Sequence, residues 1–174
     1  DFSSNQLCNK RYHWFSSDSS TWRNAFEKRW KHFLTSLLKD YQYNRDIPSV
    51  DGTSRMSAYL RFGCISIRQM YEDVIDFIER GISKEEKLSA QKFLDELIWR
   101  EFYHSVLFHF PWIVDSNYRK QFDKMPWKYN KKLFDAWKNG NTGYPLVDAG
   151  MRQLNTTGWM HNRVRMVVAS FLTK

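Results

Sequence analysis

Cysteine is almost missing from this chain. Of 174 residues only Cys8 and Cys64 carry a thiol, and two such positions give neither a disulfide framework nor metal-ligand spacing. That scarcity fits a reducing, cytoplasmic compartment. Glycine (7) and proline (4) are also few, which argues against a β-sandwich with its many tight turns. No apolar run is long enough to span a bilayer, so no membrane partner is expected. The first residues, Asp-Phe-Ser-Ser-Asn-Gln, resemble neither a signal peptide nor an ordinary translation start; a chain cut from something longer, or processed, is expected. No Ser/His/Asp or Cys/His triad can be assigned, and no metal site is expected.

What the chain does have is aromatic mass. Hydrophobic residues make up 42% and aromatics 17%, with eight tryptophans, enough for a folded core over most of the length. The formal charge is +8, and the basic residues are interleaved with aromatics rather than gathered in a tail. Such a balance suits a polyanionic partner, most simply nucleic acid. Composition alone weighs equally for a basic surface that binds nothing.

Periodicity points to an all-α fold. Residues 1–20 are polar and serine-rich, an irregular lead-in to a domain over 21–174. Trp22, Phe26, Trp30, Phe33, Leu37 and Tyr41 recur at helical spacing and predict one helix ending near Tyr43. A loop over 44–57 leads into a short helix through Leu60. Ser66 is a predicted N-cap with Gln69 as capping-box partner, and that helix runs to Arg80 and stops at Gly81. Ser83 and Glu86 form a second capping box ahead of a long helix over 84–110, ended by Pro111. Residues 111–130 are irregular and aromatic-rich. A short helix spans about 131–139 and stops at Gly140. Pro145 opens a helix to about Thr156, Gly158 breaks it, and a last helix runs from about Trp159 to the end. No strand alternation, repeat or low-complexity tract is present.

Chemistry could sit in three segments. Gly52-Thr53-Ser54-Arg55-Met56-Ser57 combines hydroxyls, a guanidinium and a flexible glycine at the start of a helix, a setting that suits a phosphate or pyrophosphate; an ordinary capping turn uses the same residues. Glu96, Trp99 and Arg100 stand at i, i+3 and i+4 and share a helix face. An indole that stacks and a carboxylate that accepts from ring N–H groups can recognise a base, whereas a Glu96–Arg100 ion pair beside a core tryptophan would be purely structural. In Gly158-Trp159-Met160-His161-Asn162-Arg163-Val164-Arg165-Met166, Asn162 and Met166 face the same way. Arg163 and Arg165 point to different sides, one toward a phosphate and one inward. Met160, Val164, Val167, Val168 and Phe171 are the expected buried stripe. Core packing is the default for Met166, and a satisfied structural role for His161.

Taken together, GTSRMSAYLRFG, then ELIWREFYHSVL, then TGYPLVDAGMRQLNTTGWMHNRVRMVVASFL resemble the DNA photolyase/cryptochrome family over about residues 41–174, and the Trp22 helix is consistent with it. The resemblance implies a helical domain that holds a folded FAD. In such enzymes light excites the reduced flavin, which lends an electron to a cyclobutane pyrimidine dimer flipped out of DNA. It further implies roles residue by residue. Tyr41 and Thr53, Ser54, Arg55, Met56 and Ser57 would hold the FAD phosphates and ribityl chain, with Arg165 near the flavin. Glu96 would hydrogen-bond the dimer and help neutralise its radical anion, Trp99 would stack on it, and Asn162 and Met166 would line the same pocket. Arg45, Arg100 and Arg163 would serve the DNA backbone or organise the site. Trp127, in Met125-Pro126-Trp127, resembles the outermost tryptophan of the family's electron-transfer chain; plain packing is its alternative.

The set Glu96, Trp99, Asn162 and Met166 resembles the bacterial cyclobutane-dimer photolyases, which implies damaged DNA as partner and an intact protein that works as a monomer. Nothing in the sequence identifies an antenna chromophore. The family's amino-terminal α/β domain and a later segment with an Asp-x-Asp motif and two more tryptophans are not found here. The chain is therefore expected to carry only part of the flavin cradle and to bind FAD weakly or not at all alone. A cryptochrome-type blue-light receptor and a flavin-free DNA-binding fragment are the alternative readings.

Overall fold

The computed structural model describes residues 19–80 and 82–173. The lead-in over 1–18, Cys8 and the Gly81 helix stop lie outside the described residues. Within them the chain is helical, with no strand, as the periodicity implies.

The helices are α1 (Ser19–His32), α2 (Tyr41–Asn44), α3 (Ser57–Arg61), α4 (Ile67–Glu79), α5 (Lys84–His109), α6 (Lys131–Asn139), α7 (Pro145–Thr157) and α8 (Asn162–Thr173). The single helix expected to end near Tyr43 is interrupted. A π turn over Phe33–Leu37 and a 3-10 turn over Leu38–Asp40 separate α1 from α2. The N–H of Leu38 donates to the Phe33 carbonyl, five residues back. A π turn adds one residue to the helical repeat, so the buried position moves from the expected Leu37 to Leu38, which is fully buried beside Trp30, Phe33 and Tyr41. The helix also begins at Ser19 rather than beyond residue 20.

Two hydrophobic clusters result. In the first, Phe33 and Phe93 meet at 4.8 Å and Tyr41 and Phe93 at 5.3 Å, joined by Leu38, Met56, Ile65, Met70, Val74, Ala90, Leu94 and Leu97. Ala90, Phe93, Leu94 and Leu97 follow the i, i+3, i+4, i+7 pattern of a buried helix face. Beyond Leu97 the helix leaves the core: Ile98, Trp99, Phe102, Tyr103 and Phe108 are all exposed. Polar pins hold the elements. Trp30 Nε1 donates to Asp73 at 2.6 Å, and the Gln42 N–H donates to the buried Ser89 hydroxyl at 2.9 Å.

The second cluster is Val147, Met151, Met160, Val164 and Val168, between α7 and α8. Val167 and Phe171, expected in this stripe, are exposed. The turn before α7 is fixed by the buried Asp148, which accepts from the Thr142 N–H (2.8 Å), the Thr142 hydroxyl (2.6 Å) and the Gly143 N–H (3.0 Å).

Most helix ends follow their sequence signals. Ser83 and Glu86 form the full capping box, and Gly140 ends α6 in the left-handed region at φ 67°. At Ser66 only half of the box forms: its hydroxyl accepts from the Gln69 N–H, while the Gln69 side chain turns to Asp73 at 2.9 Å. The last helix starts at Asn162, not Trp159. Met160 and His161 are drawn into the interior, and His161 Nδ1 accepts the Arg163 N–H at 3.2 Å, capping α8 from outside the helix.

Candidate functional site

The polar residues that join the two clusters come from the three segments singled out above and from the loop after α2. Arg45 follows α2, and its guanidinium bonds the Glu96 carboxylate on α5. It also reaches Asp46 at 3.4 Å and lies 5.6 Å from the centre of the Tyr41 ring. Asp46 accepts in turn from Arg163 Nε on α8 at 2.8 Å. Glu96, Arg45, Asp46 and Arg163 thus form one ionic chain from α5 to α8, between residues up to 117 positions apart.

The charges follow from this geometry. Burial alone would lower the Arg45 pKa, but the hydrogen bond it donates to Glu96 and the neighbouring negative charges raise it. Asp46 is held below the usual carboxylate range, first by its hydrogen bond with Arg163. Burial raises the Tyr41 phenol well above its ordinary value. Burial also lowers the His161 pKa, opposed in part by the nearby Asp46 carboxylate. With Nδ1 accepting from Arg163, the neutral ring carries its proton on Nε2, a buried atom without a hydrogen-bond partner.

The Glu96–Arg100 ion pair weighed from spacing does not form. Glu96 turns to Arg45, and Arg100 pairs with its neighbour Glu101 at 2.7 Å. Trp99 is no core residue: it is 53% exposed, with Phe102 packed edge-on against it at 5.6 Å. A flat indole therefore stands open to solvent beside the half-buried carboxylate. Asn162 is exposed near Arg163. Met166 is 56% exposed rather than in the core. Arg163 and Arg165, one of which was expected to point inward, are both exposed. Trp127 is 64% exposed in the irregular stretch before α6 and stands apart from the ionic chain.

The 52–57 loop is built from below by Arg29 of α1. This guanidinium donates to both Asp51 oxygens at 2.9 and 2.8 Å, to the Thr53 carbonyl at 2.6 Å and to the Ser54 carbonyl at 3.1 Å. Gly52 sits so close to α2 that a Cβ there would lie 2.5 Å from Asn44 Cβ. Arg55 takes a left-handed backbone at φ 56°. Its guanidinium pairs with Asp51 at 3.0 Å and lies 4.3 Å above the Trp159 ring. Met56 is buried in the first cluster, so only its backbone could face a ligand. Ser57 is exposed, and Thr53 and Ser54 are half-buried. Tyr41 is wrapped by Phe33 and Phe93 and supports the loop after α2 more than it faces outward.

Arg29, Asp46 and Asp51 had no expected role from the sequence, and Trp159 had none of its own within its segment. Asp46 had a local signal, its place beside Arg45. Arg29 had none, because its partners lie 22 to 25 residues away.

Residues 93–174 match the family profile described as the FAD binding domain of DNA photolyase. The chain is 45% identical over 146 residues to a deoxyribodipyrimidine photo-lyase of Synechococcus sp., covering 84% of this chain and 30% of that protein. The chain is similar to the DNA photolyase family in both sequence and fold. The Escherichia coli deoxyribodipyrimidine photo-lyase is 43% identical over 145 residues. Among solved structures, a class III photolyase of Agrobacterium tumefaciens superposes with a TM-score of 0.79 at 41% identity, covering 86% of this chain and 30% of that one. A Synechocystis cryptochrome reaches 0.78 at 35% identity, covering 86% of this chain and 31% of that one. The chain thus spans about 30% of the length of the curated relatives it matches. Among the described residues no helix is long and apolar enough to cross a membrane, and no cluster of His, Cys, Asp and Glu could hold a metal ion.

Proposed function

We propose that this chain is part of a light-driven DNA photolyase that splits cyclobutane pyrimidine dimers, with residues 21–174 forming the N-terminal part of its FAD-binding helical domain. The observation that carries the reading is the open Trp99 indole beside the Glu96 carboxylate, itself fixed by the ionic chain through Arg45 and Asp46 to Arg163. A flipped dimer needs a flat apolar platform and an acceptor for its ring N–H groups, and α5 presents both one turn apart.

The residues of the 53–57 loop fit FAD. Hydroxyls of Thr53, Ser54 and Ser57 can donate to phosphate oxygens, and Arg29 and Arg55 against Asp51 leave one net positive charge beneath them. When bound, the flavin would supply the photoexcited electron donor. The protein's own groups do the rest. Trp99 holds the dimer by stacking, Glu96 accepts its N–H groups, and Asn162 and Met166 line the far side. Arg163 and Arg100 meet the DNA backbone, Arg45 orients the Glu96 carboxylate, and Arg165 and Tyr41 support the flavin pocket. Trp127 passes electrons inward from the surface. The +8 charge supports damaged DNA as the partner, and the protein is proposed to act as a monomer in the cytoplasm.

The test is an ultraviolet-irradiated oligonucleotide incubated under blue light with FAD and the intact protein of which this chain is part, with dimer loss as readout. The expected outcome is light-dependent repair, with Glu96→Ala lowering yield per photon more than flavin content. Flavin binding without repair would favour a cryptochrome-type receptor, the reading suggested by the Synechocystis neighbour. DNA binding that needs no flavin and falls steeply with salt would favour the flavin-free fragment.

A further inference from the structure

The 51–57 loop holds its shape through a residue that lies outside it. We propose that Arg29 is the positioning residue of the phosphate-binding loop, a role that rests on the reading of residues 53–57 as a diphosphate site. Its fork spends its donors on four acceptors at once: both oxygens of Asp51 and the carbonyls of Thr53 and Ser54. Backbone carbonyls carry partial negative charge and would repel a phosphate. Arg29 turns the Thr53 and Ser54 carbonyls inward onto a cation, which frees the outer face of the loop for hydroxyl and N–H donors. The side chain is largely enclosed, at 21% exposure, and its charge is matched by Asp51. It therefore works as a scaffold and not as the phosphate's own counter-ion. Arg55, at φ 56° and paired with the same Asp51, completes the loop above it.

Lysine cannot do this work. Its ammonium is a single point of charge, whereas the guanidinium reaches a carboxylate and two carbonyls along separate directions in one plane. Arg29→Lys should then fold like the parent and still lose the loop geometry.

The test uses the full 174-residue chain, isotopically labelled, titrated with FAD and separately with ADP while the amide resonances of residues 53–57 are followed. In the parent both ligands should shift these amides. In Arg29→Lys and Arg29→Gln the affinity for both should fall by about tenfold or more, the loss expected from charge-assisted hydrogen bonds. Amide exchange should rise at 53–56 while resonances of Phe93, Val147 and Val164 stay in place. If the parent responds and Arg29→Lys binds equally well with an unchanged loop, Arg29 has no positioning role. If the parent itself shows no response at 53–57, the phosphate reading of the loop falls and the proposal with it. Parent-like binding in Thr53→Val and Ser54→Ala alongside weakened Arg29 variants would place the ligand elsewhere and overturn it too.

Discussion

Replacing Gly150 by alanine should open the site from behind. Gly150 lies in the middle of α7, and a Cβ there would come 2.4 Å from Val164 Cγ1 and 3.0 Å from Val168 Cγ2 of α8. Carbon atoms pack at about 3.5–4.0 Å, so α8 would have to retreat by roughly 1 Å. Alanine's intrinsic helix advantage over glycine is about 1 kcal/mol. Overpacking of a tight core costs about 1–3 kcal/mol and sometimes more, and an overlap with two β-branched side chains belongs at the upper end. The net loss should be about 2 kcal/mol, a fall in Tm of roughly 4–8 °C for a chain of this size. Thermal and urea unfolding followed by circular dichroism would measure it. Val164→Ala alone should cost about 2 kcal/mol, yet it removes the nearest clashing methyl. The double variant should then be more stable than the sum of the two losses predicts, by about 1 kcal/mol or more. A Gly150→Ala protein at or above the parent Tm, or strict additivity in the pair, would refute the close-packing argument. Because α8 carries Asn162, Arg163 and Met166, the same shift should lengthen the Asp46–Arg163 contact and weaken DNA binding.

Ser83→Ala should cost about 1 kcal/mol and raise amide exchange in the first turn of α5 while leaving α7 and α8 untouched. The Asp51 carboxyl is held below its ordinary value of 3.8 by Arg29; such a group stabilises the fold above its unfolded pKa and loses that contribution as pH falls through the folded value. The 51–57 loop should therefore hold from neutral pH down to about 4 and loosen below it, seen as amide exchange at 53–56, and a parent-like profile in Asp51→Asn would contradict this. His161 is shifted down by burial from 6.5, so its neutral form stabilises the fold fully above that value. The contribution should begin to fall as pH drops below about 6.5, a slope in the pH-dependence of Tm that His161→Asn should remove. Trp99→Ala should weaken binding of dimer-containing DNA by about 1–3 kcal/mol with little change toward undamaged DNA, measured by fluorescence anisotropy.

Much of this protein was legible in order along the chain, because the signals were local. Capping residues, glycine stops and prolines fix where α5, α6 and α7 begin and end, since each acts on backbone groups within a few residues of itself. The motif segments likewise contained Glu96, Trp99, Thr53 and Asn162 without any knowledge of the fold. Tertiary structure decided what those residues face. Spacing left Glu96 free to pair with Arg100, and only packing of α2 against α5 gave it Arg45. Periodicity placed Leu37 in the core, and only the π turn over Phe33–Leu37 exchanged it for Leu38. Arg29, Asp46 and Asp51 gain their meaning from partners far away in sequence. A charge in a sequence carries no direction, and which opposite charge it meets is fixed when the helices that bear them are brought together by burial of their apolar faces.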